Sequence, residues 1–234
     1  SPLGSLRGTL HHRVEPAKFT FNTQTRSNAP CYAGESTNAA SFQSLRAFST
    51  SAGTIKISSI SISVGGSYPA DELTNVSGTL FFAATSVSNG RELFKTDGTS
   101  SGTALVSNIR PGGLGSYPVN LTNVGGTLYF AANDGATGHE LWKSNGTSAG
   151  TVLVADIDGS SFGSSPSYIT NVAGVAYFAA ASVDVAAELY RSDGTAAGTT
   201  LIDLDPNTRS APSNLLAVAD RLFFTGFRPD VGRE

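Results

Sequence analysis

The 234-residue chain contains no methionine, one cysteine, one tryptophan and three histidines. A single thiol, Cys31, cannot close an internal disulfide, and so few histidines leave no Cys/His set at zinc spacing. Charge is scarce as well: Lys and Arg number 15, Asp and Glu 18, and the formal net charge is −3. That balance lacks the basic stripe that nucleic acid or an anionic membrane surface requires, so neither is expected as a partner. No apolar run reaches the roughly 18 residues that would cross a bilayer as a helix. The nearest, from Val172 to Ala187, is broken by Ser182 and Asp184. The N-terminal stretch carries Arg7, Arg13, Glu15 and Lys18 without the apolar centre of a signal peptide. With serine rather than methionine at position 1, the expectation is a piece of a longer protein whose targeting signals lie elsewhere.

What the chain has is turn residues and a period. It holds 26 Gly and 10 Pro, and the segment Asn75-Val-Ser-Gly-Thr-Leu-Phe-Phe82 returns as Asn123-Val-Gly-Gly-Thr-Leu-Tyr-Phe130 and Asn171-Val-Ala-Gly-Val-Ala-Tyr-Phe178. A looser copy runs from Ala217 to Phe224. A second segment keeps the same 48-residue pace: Glu92-Leu-Phe-Lys-Thr-Asp-Gly-Thr99, Glu140-Leu-Trp-Lys-Ser-Asn-Gly-Thr147 and Glu188-Leu-Tyr-Arg-Ser-Asp-Gly-Thr195. Gly-Thr pairs at 102, 150 and 198 follow. Two motifs in one register mark a repeat architecture.

Each period reads as four strands, which in the second copy are Val119 to Val124, Thr127 to Asn133, His139 to Asn145 and Thr151 to Ile157. The second strand is apolar at consecutive positions, as in Leu128, Tyr129, Phe130, Ala131 and Ala132. A sheet with one wet face would alternate, so both faces must be covered. Stacking four-stranded sheets face to face covers every copy at once. The expected fold is therefore all-β, a β-propeller-type array of four-stranded antiparallel blades that is incomplete as it stands, with a β-solenoid as the alternative. Residues 1–52 are unassigned, a linker or a degenerate blade. Residues 53–234 hold the repeats: the last strand of one blade, full blades at 71–109, 119–157 and 167–204, and a half blade at 213–234.

The recurring Asp-Gly-Thr reads as turn chemistry, with Asp97 or Asp193 accepting backbone N–H groups and Gly98 or Gly194 at positive φ. Asn145 does the same without charge. Glu92, Glu140 and Glu188 need polar or backbone partners if they are buried, with a cation-binding ring as the competing reading.

Glu140-Leu-Trp-Lys-Ser-Asn-Gly-Thr147, followed by Gly150-Thr151 and by Leu153, Val154, Asp156 and Ile157, resembles the bacterial ELWxxDGT repeat family over residues 53–234. Phe94 and Tyr190 stand in place of its Trp, and Asn145 in place of its Asp. The resemblance implies large secreted or cell-surface proteins; it carries over no substrate and no catalytic residue.

In a four-stranded meander, the loop between strands two and three and the crossover to the next blade share one face. There the copies disagree most, which fits either recognition loops on a rigid frame or loops that have drifted because nothing in the repeat constrains them. The candidate ligand-binding residues on this face are Arg110, Asn133, Asp134, Asp158 and Asp184. Asp156 and Asp158, two residues apart, form the Ca2+ candidate, although Asn108 and Arg110 at the matching places argue against a repeated metal site. No other cofactor and no catalytic residue is assigned. The functional expectation is a non-enzymatic, secreted or cell-surface module binding a protein or glycan, in which the rest of the polypeptide closes the propeller. The alternatives are part of a propeller hydrolase or lyase with its catalytic residues in other blades, and a purely structural spacer.

Overall fold

The computed structural model describes residues 41–51, 54–64, 70–182, 187–204, 210–228 and 232–233. Among them there is no helix. A hairpin of β1 (Ser41–Ser51) and β2 (Thr54–Val64) comes first. Three four-stranded antiparallel meanders follow. The first is β3 (Asp71–Val76), β4 (Thr79–Ser86), β5 (Gly90–Thr96) and β6 (Ala104–Ser107). The second is β7 (Val119–Val124), β8 (Thr127–Asn133), β9 (His139–Ser144) and β10 (Val152–Ala155). The third is β11 (Ser167–Val172), β12 (Val175–Ala180), β13 (Glu188–Ser192) and β14 (Thr200–Ile202). Two short hairpins end the chain: β15 (Ser213–Val218) with β16 (Arg221–Thr225), and β17 (Phe227–Arg228) with β18 (Gly232–Arg233). Strand β1 covers residues in which the sequence shows no repeat register.

Local chemistry explains the hairpins. Strands one and two of each sheet are joined by two residues with positive φ: Ser77 and Gly78 (50° and 87°), Gly125 and Gly126 (58° and 86°), Ala173 and Gly174 (50° and 86°). This is the turn whose twist matches that of the strands. The Asn that opens each motif steadies it, its Oδ1 accepting the N–H of Gly78, Gly126 or Gly174 at 2.9–3.0 Å.

Asp-Gly-Thr is likewise a turn. Asp97 Oδ1 accepts the N–H and hydroxyl of Thr99 at 2.9 and 2.7 Å, and the Thr99 hydroxyl in turn accepts the Gly102 N–H. Asn145 and Asp193 repeat this pattern on Thr147 and Thr195. The second glycine of the motif is dictated by space, since a Cβ on Gly102, Gly150 or Gly198 would run into the Asp97, Asn145 or Asp193 side chain.

The core lies between the sheets. Phe81, Leu93, Val106 and Ile109 of the first sheet pack with Leu121, Leu128, Phe130 and Trp142 of the second. The opposite face of the second sheet, with Val124, Tyr129, Leu141 and Val154, packs with Ile169, Phe178 and Tyr190 of the third. Neighbouring positions on one strand, such as Tyr129 and Phe130, thus enter different interfaces, which is why β8 is apolar without alternation. An antiparallel meander stacked broadside on the next is not the coil of a solenoid.

First strands of successive sheets lie beside one another, β3 by β7, β7 by β11 and β11 by β15. They are tied by the hydroxyls of Thr74, Thr122 and Thr170, which donate to the carbonyls of Leu121, Ile169 and Leu215. Beyond the 3–4 turns, Lys95 and Lys143 reach the carbonyls of Gly146 and Gly194 in the next sheet at 2.7 and 2.8 Å.

Candidate functional site

The loops joining one sheet to the next are held by a buried carboxylate at the head of each third strand. Glu140 is fully buried. It accepts the backbone N–H groups of Ile157 and Asp158 at 3.2 Å each, where the crossover leaves β10. It also accepts the N–H of Ser164 at 2.8 Å and the Ser164 hydroxyl, where the crossover arrives at the third sheet. Glu92 does the same with Ile109, Arg110 and Ser116. Glu188 holds the N–H and hydroxyl of Ser210. Carboxylate oxygens surrounded by N–H and O–H donors are committed to the loop, so these three residues form loop clamps and not a cation ring. Burial raises the Glu92 and Glu140 carboxyls above their ordinary value, against the opposing pull of the hydrogen bonds.

The serine serves two sheets. While Ser116 and Ser164 donate to Glu92 and Glu140, their carbonyls accept the N–H of Asn133 and Ala181 at the end of the next sheet's second strand, each at 2.9 Å. Ser210 does the same with Phe227. The following residue, Tyr117, Ser165 or Ala211, has positive φ and donates its N–H to Arg91, His139 or Ala187. Sequence comparison missed these serines, although Ser116-Tyr-Pro118 and Ser164-Ser-Pro166 keep the 48-residue pace and Ser210-Ala-Pro212 repeats the pattern two residues early. The signal was hidden because the crossovers differ so much on either side of it.

The candidate residues are placed around this frame. Arg110 gives its backbone N–H to Glu92, and its side chain lies over Gly135 in the loop between β8 and β9. Asn133 and Asp134 open that loop. Asn133 Oδ1 accepts the Gly135 N–H at 2.7 Å, and Asp134 Oδ1 accepts the N–H groups of Ala136 and Thr137 at 2.8 Å. Partial burial pushes the Asp134 carboxyl up, but the hydrogen bonds from Thr137 and Ala136 outweigh it and leave the group below its ordinary value. Asp158 is buried and accepts the Ser160 hydroxyl, whereas exposed Asp156 accepts the Gly159 N–H at 2.8 Å. Each of the two carboxylates thus stabilises its own turn. Among the described residues no three His, Cys, Asp or Glu side chains are grouped to hold a metal ion. Asp184 lies outside the described residues. Trp142 is buried between the first and second sheets.

Arg110, Asn133 and Asp134 are therefore brought together around one loop, and Asp156 and Asp158 belong to the next crossover. Large apolar side chains stand out from this same face: Leu114 is 66% and Phe162 85% exposed, at matching places 48 residues apart. Their backbones are fixed against Gly90 and Gly138, where any Cβ would collide with them.

No family model matches the chain, and no curated protein matches it. Two solved chains match it in structure. One, from a structural and mechanistic analysis of two prolyl endopeptidases, has a TM-score of 0.45 and 14% identity over 79% of this chain and 28% of that one. The chain spans less than a third of that neighbour's length. No helix among the described residues is long and apolar enough to cross a membrane.

Proposed function

We propose that the chain is a non-enzymatic repeat module, its stacked sheets being blades of β-propeller type and its crossover face binding a protein or a glycan. The observation that carries this reading is the contrast inside each crossover. Its two ends are fixed by a buried glutamate and a serine, while the stretch between them differs from copy to copy and exposes Leu114 or Phe162. Rigid backbone with exposed, variable side chains is the arrangement that lowers the ordering cost of binding. The carboxylates that recur in every copy are engaged in holding turns and loops. Resemblance to the ELWxxDGT repeats supports reading the module as part of a secreted or cell-surface protein, in which further blades of the same polypeptide complete the ring.

Glycan and protein arrays probed with the full-length protein test the proposal. Binding that is lost when the crossover tips are replaced by the Gly-Ser sequence supports it. Uniformly negative arrays at high protein concentration, or binding indifferent to that exchange, overturn it.

A further inference from the structure

The second sheet differs from the first in one electrostatic respect. At the head of its third strand the first sheet carries Arg91, which is paired with Asp71 at the head of the first strand. The matching residues 48 positions on are His139 and Val119, so the carboxylate is missing there. A second cation is also present. Arg110 lies across the 133–138 loop, with its Nε 3.1 Å and its Cγ 3.5 Å from where a Cβ on Gly135 would stand. Among the described residues no ion pair involves Arg110. Arg110 acts on His139, since burial first and the nearby guanidinium second hold the imidazole below its ordinary value. Asp134, the loop's own acid, has turned one oxygen onto the N–H groups of Ala136 and Thr137.

Phe162 completes the group. Its carbonyl group and the N–H of Gly163 rest on Gly138, next to His139, and the Ser165 N–H donates to the His139 carbonyl at 2.9 Å. The crossover before the second sheet thus brings the Arg110 guanidinium side chain against the 133–138 loop at Gly135, and the crossover after it sets the backbone of exposed Phe162 against the same loop at Gly138. Both backbones are held by the glutamate clamps.

We propose that Arg110, His139 and Phe162 form a binding site for an acidic glycan, with the carboxylate of a uronic acid residue on the Arg110 guanidinium and a sugar ring face on Phe162. An unpaired guanidinium selects a carboxylate through charge-assisted, bidentate hydrogen bonds. An exposed aromatic ring on the crossover that meets the same loop selects a ligand that also has a flat face of C–H groups, which a pyranose offers and a glutamate side chain does not. The equivalent group on the first sheet has Leu114 for Phe162 and a neutralised Arg91, so the site belongs to the second sheet alone among the described ones.

This proposal rests on the crossover face being a binding face, and the two are separable. Calorimetric titration of the full-length protein uses three probes: a short oligogalacturonide, a neutral malto-oligosaccharide of equal length, and a polyglutamate peptide. The oligogalacturonide is expected to bind and the other two are not. Arg110→Ala should weaken it about tenfold or more, the scale of one charge-assisted hydrogen-bonded pair, and Arg110→Lys should weaken it less. Phe162→Leu, which installs the residue of the matching slot, should weaken it about threefold or more. Unchanged melting temperatures confirm that the variants fold. Absence of oligogalacturonide binding, equal binding of polyglutamate, or affinity unaffected by Arg110→Ala overturns the site. An array ligand that survives Arg110→Ala but not exchange of the crossover tips overturns the site while leaving the wider function standing.

Discussion

Glu140 accepts both the backbone N–H and the hydroxyl of Ser164, the former at 2.8 Å, across 24 residues of chain and from one sheet to the next. Truncating the carboxylate leaves four buried or half-buried donors without an acceptor. The cost of an unmade buried hydrogen bond is about 1–3 kcal/mol, so Glu140→Ala should destabilise by at least about 2 kcal/mol. Ser164→Ala, which removes only the hydroxyl, should cost about 1 kcal/mol. Urea unfolding of the two single variants and the double variant measures this. If the loss in the double variant equals the sum of the two single losses, the pair is not coupled as described.

Phe130 is fully buried in the interface between the first and second sheets. Phe130→Ala should therefore cost about 3–5 kcal/mol, the transfer energy of the ring plus the cavity it leaves. A loss below about 1 kcal/mol in the unfolding midpoint analysis would contradict the broadside packing.

Ala173 occupies a left-handed turn position with φ of 50°, where the second sheet has Gly125. That conformation costs an L-residue about 1–2 kcal/mol, part of which glycine returns through the entropy of its unfolded state. Ala173→Gly should raise stability by about 0.5–1 kcal/mol, read as an increase in melting temperature. Ser77→Gly should act in the same direction.

Acid stability follows from two groups of carboxyls with opposite signs. The Thr99 and Thr195 hydroxyls first, and their N–H groups second, hold Asp97 and Asp193 below the ordinary value of 3.8. A folded-state value below the unfolded one gives stability that is complete above the unfolded value and is lost as pH falls through the folded one. Burial raises Glu92 and Glu140 above 4.5, so their protonation favours the fold and their contribution declines as pH rises through the raised values. The double variant Asp97→Asn, Asp193→Asn, which copies Asn145, should lose less stability than the parent between about pH 5 and about pH 3. An equal or larger loss would contradict the assignment of those carboxyls to the turns.

The sheets were legible because their signals are local and repeated. In the second copy the read and observed limits of the first two strands coincide at Val119–Val124 and Thr127–Asn133, each bounded by a two-residue turn or a polar loop. The third and fourth strands are shorter than that reading, because Asn145 and Thr151 belong to the hydrogen-bonded turn between them, and Asp156 and Ile157 to the crossover that Glu140 holds. Strand β1 has no counterpart in the period, so self-comparison could not find it. The glutamates were seen to need partners, yet their partners are backbone N–H groups, which no side-chain pattern reveals. Only Ser116, Ser164 and Ser210 left a trace, in their spacing from the following proline. The grouping of Arg110 with His139 and Phe162 depends on two crossovers flanking one loop, a relationship that 48-residue spacing alone does not disclose.

Native-state hydrogen exchange at the Ser164 amide tests the clamp most directly. Although Ser164 lies in a loop, its N–H is buried on Glu140 and should exchange as slowly as the amides of β8. In Glu140→Ala the Ser164 amide should open by a local route while that of Ser116, held by Glu92, keeps its protection. Exchange of Ser164 in the parent protein at the rate of an exposed turn amide such as that of Ala136 would contradict the account.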